Sequence, residues 1–494
     1  MNQAGDILTI DLPDEAATAA FAEDVAACLA TGDVVALSGG LGAGKTTFAR
    51  ALIRALADDP RLEVPSPTFT LIQTYVAGRL TVAHFDLYRT TNPNELDEIG
   101  FADAARDGAV LVEWPERAGG RLPPDRLDIA LEIAGTGRRA TVSGGGTWSG
   151  RLARSRAARS LLDRSGWSSA SRRHLQGDAS TRTYERVRAG NRRAVLMDWP
   201  AKGQLPLGDP RARFRAHDVK AFVAVDHALR AAGLSAPEIY AADMASGLLL
   251  LEDLGSDGLV VAGAPDPERY RVGIDVLAAI HTEKRPTELP LPDGTTHTLP
   301  TLGAEALAAD VGLFVEWYVP LANGAPLAGE AKADFTAIWA TLFAELAKSD
   351  KSWVLFDMQS PNLFWLPKRT GLARLGIIDF QDMFLGPSAY DVASLCQDAR
   401  VTIPSTLEGS LGEHYVALRL AVDRVFDADS FAAAYAICAA LRAMKNLGIF
   451  ARLAAHGNAS YLSHLPRLRE YLARSFADPV LSPLAVWYEK RLTP

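Results

Sequence analysis

The chain has 494 residues, which is too long for one ordinary hydrophobic core and predicts two or three domains. Hydrophobic residues make up 48% and charged residues 22%, as in typical globular proteins, and the net charge of -8 gives no global indication of nucleic-acid binding. The three cysteines lack the paired spacing of a zinc site or a disulfide framework. No signal peptide and no bilayer-length apolar run is visible, so we expect a cytoplasmic protein.

The first part of the chain alternates between two hydrophobic periods. Apolar residues recur at helical spacing over 14–30 and 46–56, whereas short apolar runs typical of buried strands occupy 34–37, 80–85 and 110–112. Strands that alternate with helices in this way favour a sheet with helices on both faces. The sequence therefore predicts an α/β domain.

A change in composition marks the expected end of this domain. The glycine-rich run at 143–146 loses much backbone entropy on ordering and predicts a break in regular structure. We expect an α/β domain over 1–145, a linker over 146–160 and a second domain over 161–494.

An arginine-rich, helix-prone segment follows the glycine run. Its four arginines are Arg151, Arg154, Arg156 and Arg159. Such a run is typical of a solvated helix face, with a tRNA-facing patch as the sharper alternative.

The second part of the chain begins with short strand-like pieces at 183–187, 194–198 and 248–251. From about residue 265 onward the pattern is mostly helical. A small β-rich lobe followed by a larger helical lobe predicts an α+β bilobal domain.

An eight-residue stretch after the 34–37 strand matches the phosphate-binding motif G-x-x-x-x-G-K-[ST], between a strand and a helix as the motif requires. Its residues are Gly39, Gly40, Leu41, Gly42, Ala43, Gly44, Lys45 and Thr46. Glycines allow backbone N–H groups to converge on phosphate oxygens, and the following helix offers its unpaired N–H groups. Lys45 supplies a charge for the β- and γ-phosphates and Thr46 a hydroxyl ligand for Mg²⁺. The sequence thus predicts an ATP and Mg²⁺ site.

Two acidic residues are candidates to complete this site. Asp86 follows the strand at 80–85 and Glu113 follows the strand at 110–112. Mg²⁺ prefers hard oxygen ligands, and strand ends that face the phosphates would present them. We expect each carboxylate to hold the metal or the attacking water.

The first domain resembles the bacterial TsaE family, the ATPase subunit of the machinery that makes threonylcarbamoyladenosine in tRNA. The resemblance covers residues 12–135. Its matching stretches are Leu12–Glu15, the phosphate-binding motif with Thr47 and Phe48, Ser66–Leu71, His84–Arg89 and Val112–Arg117.

This resemblance assigns roles beyond the motif. It implies that Thr47 joins the nucleotide contacts, that residues 66–70 form a switch-like loop sensing the γ-phosphate, and that Trp114 lies near the nucleotide. It also implies work with partner subunits, the threonylcarbamoyl transferase and its paralogue (TsaD/TsaB type), so that tRNA is contacted only indirectly. A nucleotide-gated assembly module, rather than an independent catalyst, is the alternative for this domain.

Two loops in the second part of the chain have the spacing of a kinase-fold phosphotransferase. Asp357 is followed five residues later by Asn362, and Asp379 comes after the apolar pair Ile377–Ile378. In such sites the first carboxylate orients the proton of the attacking hydroxyl, whereas the asparagine and the second aspartate hold Mg²⁺ on ATP. We expect Asp357 to be the catalytic base and Asn362 and Asp379 the metal ligands.

The second domain resembles the aminoglycoside-phosphotransferase-like superfamily over about 155–490, and AmgK-type kinases of N-acetylmuramate and N-acetylglucosamine in particular. The stretches that carry this resemblance are Gly177–Tyr184, Met197–Asp198, Leu250–Gly255, Asp379–Asp382, Gly386–Ala393 and Cys396–Arg400. It implies phosphorylation of the anomeric hydroxyl in cell-wall recycling.

The same resemblance places further residues at ATP. It implies that the loop containing Ser180 covers the phosphates, that Glu252 and Leu254 lie at the adenine, and that Asp391 stabilises the catalytic loop. Two positions depart from the kinase pattern: Leu355 precedes Phe356 where kinases often carry histidine, and Met197–Asp198 occupy the place of the strand lysine. Arg182 is the candidate to replace that lysine.

The identity of the hydroxyl substrate stays open at this level. An aminoglycoside or choline would need an acidic pocket, whereas an N-acetylated sugar would need hydrogen bonds that read its amide. His217 and His281 are interpreted as structural rather than catalytic residues. The oligomeric state and the reason for the fusion cannot be read from the sequence.

Overall fold

The computed structural model describes residues 8–168, 170–175, 182–200 and 215–492. The chain divides into two compact units. Unit 1 comprises residues 1–200 and 239–253, and unit 2 comprises residues 201–238 and 254–494. Within the described ranges, every helix falls short of the length or the apolar character that crossing a bilayer requires.

Unit 1 begins with a seven-stranded mixed sheet in the order β1-β7-β6-β2-β5-β4-β3. The strands are β1 (Leu8–Leu12), β2 (Val34–Ser38), β3 (Ile72–Ala77), β4 (Leu80–Asp86), β5 (Ala109–Glu113), β6 (Leu127–Ala134) and β7 (Gly137–Gly144). The helices are α1 (Glu15–Cys28), α2 (Lys45–Ala57), α3 (Glu95–Glu98) and α4 (Phe101–Asp107). These elements confirm the predicted α/β class.

The central strand β2 shows why the sheet is covered on both faces. Val35 and Leu37 belong to one buried cluster, which includes residues of α1 and α2. Val34 and Ala36 belong to a second cluster, which includes residues of α3 and α4. Because successive strand residues point to opposite faces, a continuous apolar run can fill both clusters.

The glycine run at 143–146 does not break the sheet where the sequence predicted. Ser143 and Gly144 belong to β7 and pair with Asp128 and Leu127 of β6. A Cβ on Gly144 would lie only 2.5 Å from the Cβ of Trp148. Glycine is therefore retained for close packing, and the ladder hydrogen bonds offset its entropic cost.

The second sheet of unit 1 is antiparallel, with the order β11-β12-β10-β9-β8. Its strands are β8 (Ser171–Leu175), β9 (Thr183–Ala189), β10 (Arg192–Asp198), β11 (Ile239–Asp243) and β12 (Leu248–Glu252). The helix α5 (Trp148–Arg164) precedes them and contributes Leu161 and Leu162 to their buried cluster. Most of the segment expected as a linker thus lies in α5.

The arginines of α5 are largely not a solvated face. Arg151 forms a bidentate ion pair with Asp33, and Arg159 pairs with Asp24 of α1. Arg154 donates to Asp198 of β10 at 3.1 Å. Of the four arginines, Arg156 alone is exposed. The interpretation as a solvated face is therefore wrong for the other three, because carboxylates from distant parts of the chain pack against them.

The buried Arg172 joins the ion pairs of α1 and α5 to the second sheet of unit 1. Arg172 of β8 donates to Asp24 at 2.8 Å, to Glu185 of β9 at 2.6 and 2.9 Å, and to Ser155 Oγ at 3.0 Å. Burial alone would lower the pKa of Arg172, but Glu185 and Asp24 raise it above its usual value. The guanidinium is thus held charged in a nearly water-free position.

We expect Arg172→Met to destabilise unit 1 by about 3–5 kcal/mol, because Glu185 would lose its buried partner and Asp24 would keep only Arg159 of its two arginines. Urea unfolding followed by tryptophan fluorescence measures this difference. Arg139→Met is the matched control, since Arg139 forms an exposed ion pair with Asp11 and should cost less than about 1 kcal/mol. Equal effects of the two variants would contradict a structural role for the buried network.

Unit 2 is mostly helical. Its helices are α6 (Val219–Ala231), α7 (Pro267–Thr282), α8 (Ala304–Leu313), α9 (Val319–Asn323), α10 (Gly329–Leu346), α11 (Ala389–Cys396), α12 (Ser405–Val422), α13 (Ala428–Ala455), α14 (Leu465–Ser475) and α15 (Ser482–Arg491). Its short strands are β13 (Val260–Val261), β14 (Ala264–Pro265), β15 (Glu288–Pro290), β16 (Thr296–Thr298), β17 (Lys351–Val354), β18 (Leu363–Trp365), β19 (Leu375–Ile377) and β20 (Phe384–Pro387).

The long helix α13 lies at the centre of unit 2 and packs closely against α8. A Cβ on Gly448 of α13 would come within 2.4 Å of the backbone of Leu313, so this position needs glycine. The five residues Phe314–Tyr318, directly after α8, form a π-helix. Short π-helical segments are rare and often accompany functional sites.

Candidate functional sites

The phosphate-binding motif forms a tight turn between β2 and α2. Gly39 has φ +136°, and a Cβ there would lie 2.2 Å from the carbonyl oxygen of Leu131. Gly44, the residue before α2, has φ +107°. Both positions favour glycine because their φ angles are positive. At Gly39 a side chain would also collide with the backbone of Leu131. The turn therefore brings backbone N–H groups together at the first turn of α2, as phosphate binding requires.

Lys45, the first residue of α2, is held over this turn. Its Nζ donates to the carbonyl oxygens of Gly39 at 2.8 Å and Gly40 at 3.0 Å, and lies 3.7 Å from the ring centroid of Trp114. Burial lowers the pKa of Lys45, while Glu113 opposes that shift. Among the described residues, the contacts of this ammonium group are with carbonyl oxygens and an aromatic ring. A phosphate anion would offer it a full opposite charge instead.

The two acidic residues lie side by side at the ends of parallel strands. Asp86 of β4 pairs in register with Glu113 of β5. Glu113 Oε2 accepts a hydrogen bond from Thr46 Oγ1 at 3.0 Å. Asp86 Oδ2 accepts from the hydroxyls of Ser66 and Thr68, both at 2.8 Å. The motif hydroxyl, the loop at 66–70 and both carboxylates therefore converge.

A cavity of about 300 Å³ collects these groups. Nine of its lining residues were candidates from the sequence, namely Leu41, Gly42, Gly44, Lys45, Thr46, Thr47, Asp86, Glu113 and Trp114. The donor set fits a magnesium-bound nucleotide, since it combines hard carboxylate and hydroxyl oxygens with a cation and a glycine turn.

In unit 2 the predicted catalytic loop is held by its backbone. The carboxylate of Asp391 accepts from the backbone N–H groups of Leu355 at 2.5 Å and Phe356 at 3.0 Å. Arg442 of α13 donates to the carbonyl oxygen of Phe356, whose φ is +77°. Burial raises the pKa of Asp391 to about 7, although both N–H groups and Arg442 oppose this shift. The left-handed backbone conformation of Phe356 is thus held in place, and the next residue, Asp357, is partly exposed.

The predicted metal ligands lie at one end of a strand pair. Leu363 of β18 pairs with Ile377 of β19. The backbone N–H of Ile378 donates to the carbonyl oxygen of Asn362 at 3.0 Å. Asn362 Nδ2 also donates to the carbonyl oxygen of Asp357 at 2.9 Å. Asp379 follows two residues after β19 with φ +61°.

The side chain of Gln381 adds a fixed amide to this arrangement. Gln381 Nε2 donates to Asp379 Oδ1 at 3.0 Å. The hydrogen bonds around Asn362 and Asp379 therefore tie the two predicted ligands and the loop of Asp357 into one end of the strand pair.

The residues that the resemblance placed at ATP are distributed as follows. In unit 1, Glu252 is the last residue of β12, and the guanidinium of Arg182 lies 5.1 Å from the ring centroid of Trp199. At the place of the strand lysine, Met197 is buried and Asp198 pairs with Arg154 of α5. In unit 2, Leu254 is half-buried. Ser180 lies outside the described residues.

Comparison with known proteins agrees with the two families that the sequence resembles. The family model described as "Threonylcarbamoyl adenosine biosynthesis protein TsaE" matches residues 12–141, and the model of the "Phosphotransferase enzyme family" matches residues 171–427. An N-acetylmuramate/N-acetylglucosamine kinase of Caulobacter vibrioides is 38% identical over 355 residues, which cover 68% of this chain and 96% of the relative. The chain belongs to both families.

Further relatives support each half of the fusion. A TsaE protein of Rickettsia felis is 38% identical over 128 residues, which cover 26% of this chain and 74% of that protein. An N-acetylmuramate/N-acetylglucosamine kinase of Pseudomonas putida is 30% identical over 300 residues, which cover 60% of this chain and 80% of the relative. The fold classes predicted from the sequence, a P-loop domain followed by a kinase-like phosphotransferase domain, are thereby confirmed.

Two residues of the TsaE-family site were not singled out from the sequence. His84 is fully buried, with Nε2 2.9 Å from Glu113 Oε1. Arg138 of β7 donates to the carbonyl oxygens of Ala43 at 3.0 Å and Gly42 at 3.1 Å. His84 lies inside the strand predicted at 80–85. Only the pairing of that strand with the strand of Glu113 could have indicated the contact between the two side chains. Arg138 is far from the phosphate-binding motif in sequence, and no local sequence pattern indicated its contact with the motif.

In the phosphotransferase-family domain, His281 has a structural environment. Its Nδ1 lies 2.8 Å from the hydroxyl of Tyr415, and burial lowers its pKa to about 3. The folded protein thus keeps His281 neutral at pH values where the unfolded chain binds a proton. Stability from this residue is present above about pH 6.5 and is lost as the pH falls. His217 is exposed.

We expect acidification from pH 7.5 to 5.5 to cost the wild type about 1.4 kcal/mol more than it costs His281→Phe, since the variant has no proton to gain there. Denaturant titrations of both proteins at the two pH values give this difference. His456→Phe removes an exposed histidine and should retain the wild-type slope. A parallel pH dependence of wild type and His281→Phe would contradict the assignment.

Proposed function

We propose that the chain is bifunctional: a TsaE-type ATPase that supports formation of N6-threonylcarbamoyladenosine in tRNA, fused to an ATP-dependent kinase of N-acetylmuramate and N-acetylglucosamine. The kinase would phosphorylate the anomeric hydroxyl in cell-wall recycling. The single observation that carries the second activity is the 38% identity to a kinase of that name over 96% of its length. The convergence of Thr46, Asp86 and Glu113 around the glycine turn supports the first.

At the glycine turn, we assign the nucleotide phosphates to the backbone of residues 39–44 and to Lys45, with Thr47 and Trp114 beside them. Thr46, Asp86 and Glu113 would hold Mg²⁺, directly or through water. Bound Mg²⁺ would supply neutralisation of the phosphate charge. Asp86 and Glu113 would also position the attacking water, while Ser66 and Thr68, which bond to Asp86, would report the state of the γ-phosphate.

In the kinase domain, Asp357 would accept the proton of the anomeric hydroxyl as that oxygen attacks the γ-phosphate. Asp391 and Arg442 fix the backbone of the preceding residue, which supports a positioning role for both. Asn362 and Asp379 supply the oxygen ligands that would hold Mg²⁺ on ATP. For the nucleotide we assign the loop with Ser180, together with Arg182, Glu252 and Leu254.

The TsaE-family domain would act with subunits of the TsaD/TsaB type and reach tRNA only through them. A nucleotide-gated assembly module is the second candidate for this domain. ATP turnover measured alone and with partner subunits separates the two. Turnover of the isolated protein supports an independent catalyst, whereas nucleotide-dependent assembly without turnover supports the module.

We further propose a boundary at 145, a connecting segment at 146–160 and a kinase domain at 161–494, acting in the cytoplasm. A panel of small hydroxyl compounds with radiolabelled ATP tests the kinase assignment directly. We expect label transfer to N-acetylmuramate and N-acetylglucosamine. Transfer to an aminoglycoside or to choline, with none to either sugar, would replace the sugar kinase by the second substrate class.

A further inference from the structure

Two ion pairs of unit 2 lie around the segment that carries Asp357. Arg215 Nη1 is 2.8 Å from Asp382 Oδ2, and Lys445 Nζ is 3.1 Å from Asp310 Oδ2. Both cations also contact the ring of Phe356, the residue directly before Asp357. The Arg215 guanidinium lies 4.4 Å and the Lys445 ammonium 3.9 Å from that ring centroid. The proposed base is therefore flanked by two cations whose positions are fixed.

The helix pair α8 and α13 explains why Lys445 and Asp310 meet. Gly448 lets the backbone of α13 approach Leu313 of α8. Lys445 lies three residues before Gly448 and Asp310 three residues before Leu313, so the ion pair is about one helical turn from this contact on both helices. Lys445 is 5% and Asp310 8% exposed. The close packing of α8 and α13 thus buries the Lys445–Asp310 ion pair next to Phe356, in the predicted catalytic loop.

Arg215 is better placed to meet a ligand. Its side chain is 25% exposed, compared with 6% for Lys445. Asp382 fixes it by accepting from Arg215 Nη1 and from the Ala216 N–H at 2.7 Å. Among the described residues, the remaining guanidinium N–H groups of Arg215 make no hydrogen bond. A planar guanidinium with free donors suits a carboxylate.

The carboxylates around the base keep the neighbouring arginine charged. Burial alone would lower the pKa of Arg215, but Asp382, Asp357 and Asp310 raise it above its usual value. Burial lowers the pKa of Lys445, opposed by Asp310 and Asp357. Arg442 adds a third cation next to Phe356. A substrate carboxylate near Asp357 would meet the exposed part of the Arg215 guanidinium, and opposite charges at contact distance favour binding.

We propose that Arg215 and Lys445 form a cationic wall that selects a carboxylate-bearing amino sugar at Asp357, with Arg215 as the group that contacts the carboxylate. This inference rests on the proposed sugar-kinase function and names the feature of the substrate that the site reads. Lys445 acts through the Phe356 ring and Asp310 and is a positioning residue. Arg215 is a specificity-determining residue.

Two substrates that differ by one lactyl group, which carries a carboxylate, test this inference. N-acetylmuramate carries a lactyl carboxylate that N-acetylglucosamine lacks. Steady-state kinetics of the full chain should show that Arg215→Met lowers kcat/KM for N-acetylmuramate roughly tenfold to 100-fold, mainly through KM, because a charge-assisted hydrogen bond is lost. The kcat/KM for N-acetylglucosamine should change less than about threefold. Lys445→Met should lower kcat for both sugars.

The ratio of the two kcat/KM values is independent of how much protein folds correctly, so a partly unfolded variant still gives an answer. Arg215→Lys, which retains the charge, should restore part of the preference. Arg419→Met is the matched control: Arg419 is a buried arginine paired with Asp350, and its loss should leave the ratio unchanged. Equal losses for both sugars in Arg215→Met would overturn the inference and leave Arg215 as a support of the loop.

The wild type separates this inference from the proposed function. Phosphorylation of neither amino sugar would overturn the proposed function itself, before any variant is made. Phosphorylation of both sugars without a loss specific to N-acetylmuramate in Arg215→Met would overturn only the cationic wall. Preferred turnover of a polycationic aminoglycoside would overturn both.

Discussion

Lys45→Ala will abolish ATP hydrolysis by the TsaE-family domain and leave sugar phosphorylation at the wild-type rate. The Lys45 ammonium lies directly over the glycine turn and donates to the carbonyl oxygens of Gly39 and Gly40. Loss of one preorganised donor to a transferring phosphoryl group typically costs about 10²–10³-fold in rate. Phosphate release without sugar measures the first activity, and label transfer to sugar measures the second.

Both assays of Lys45→Ala need a background free of the other site. Hydrolysis is therefore best measured in an Asp357→Asn chain, so that the kinase domain contributes nothing. Arg106→Ala is the control for removal of a cation from the same domain, since Arg106 is exposed and pairs with the exposed Asp103 and Asp107. Wild-type hydrolysis in Lys45→Ala would place the ATPase elsewhere, and loss of both activities would show that the sites are not independent.

Asp357→Asn should abolish sugar phosphorylation while the protein stays folded. An amide cannot accept the proton of the anomeric hydroxyl, and removal of a general base typically costs about 10²–10⁴-fold. The fold should tolerate the change because the loop is held by Asp391 and Arg442 through its backbone. Within the described part of the chain, the Asp357 carboxylate makes no hydrogen bond. Radiolabel transfer and the thermal unfolding midpoint are measured on one preparation.

The control for Asp357→Asn is Asp334→Asn, which makes the same chemical change at an exposed carboxylate of α10. It should keep full activity and an unchanged midpoint. Retained sugar phosphorylation in Asp357→Asn would remove the base assignment. An unfolded Asp357→Asn protein would show that the carboxylate stabilises the loop, contrary to the geometry observed.

The parts of the two sites that are contiguous in the chain could be predicted. The glycine turn and Lys45 lie within eight residues between a strand and a helix, and local backbone geometry alone brings their groups together. Asp357 and Asn362 are likewise five residues apart. Strands β2, β4 and β5 followed from their apolar runs, because a strand buried on both faces has that composition. The strand at Ser143 was missed because the ladder to β6 outweighs the cost of its glycines.

Sequence by itself determined the two families and the glycine turn, since the matching motifs are short runs whose spacing fixes their local geometry. Only the tertiary structure decided which distant groups meet. Arg172 and Asp24 are 148 residues apart, and Lys445 reaches Asp310 because Gly448 admits the neighbouring helix. Charges so far apart in the chain become partners only when packing removes water around them, and no local pattern records that event.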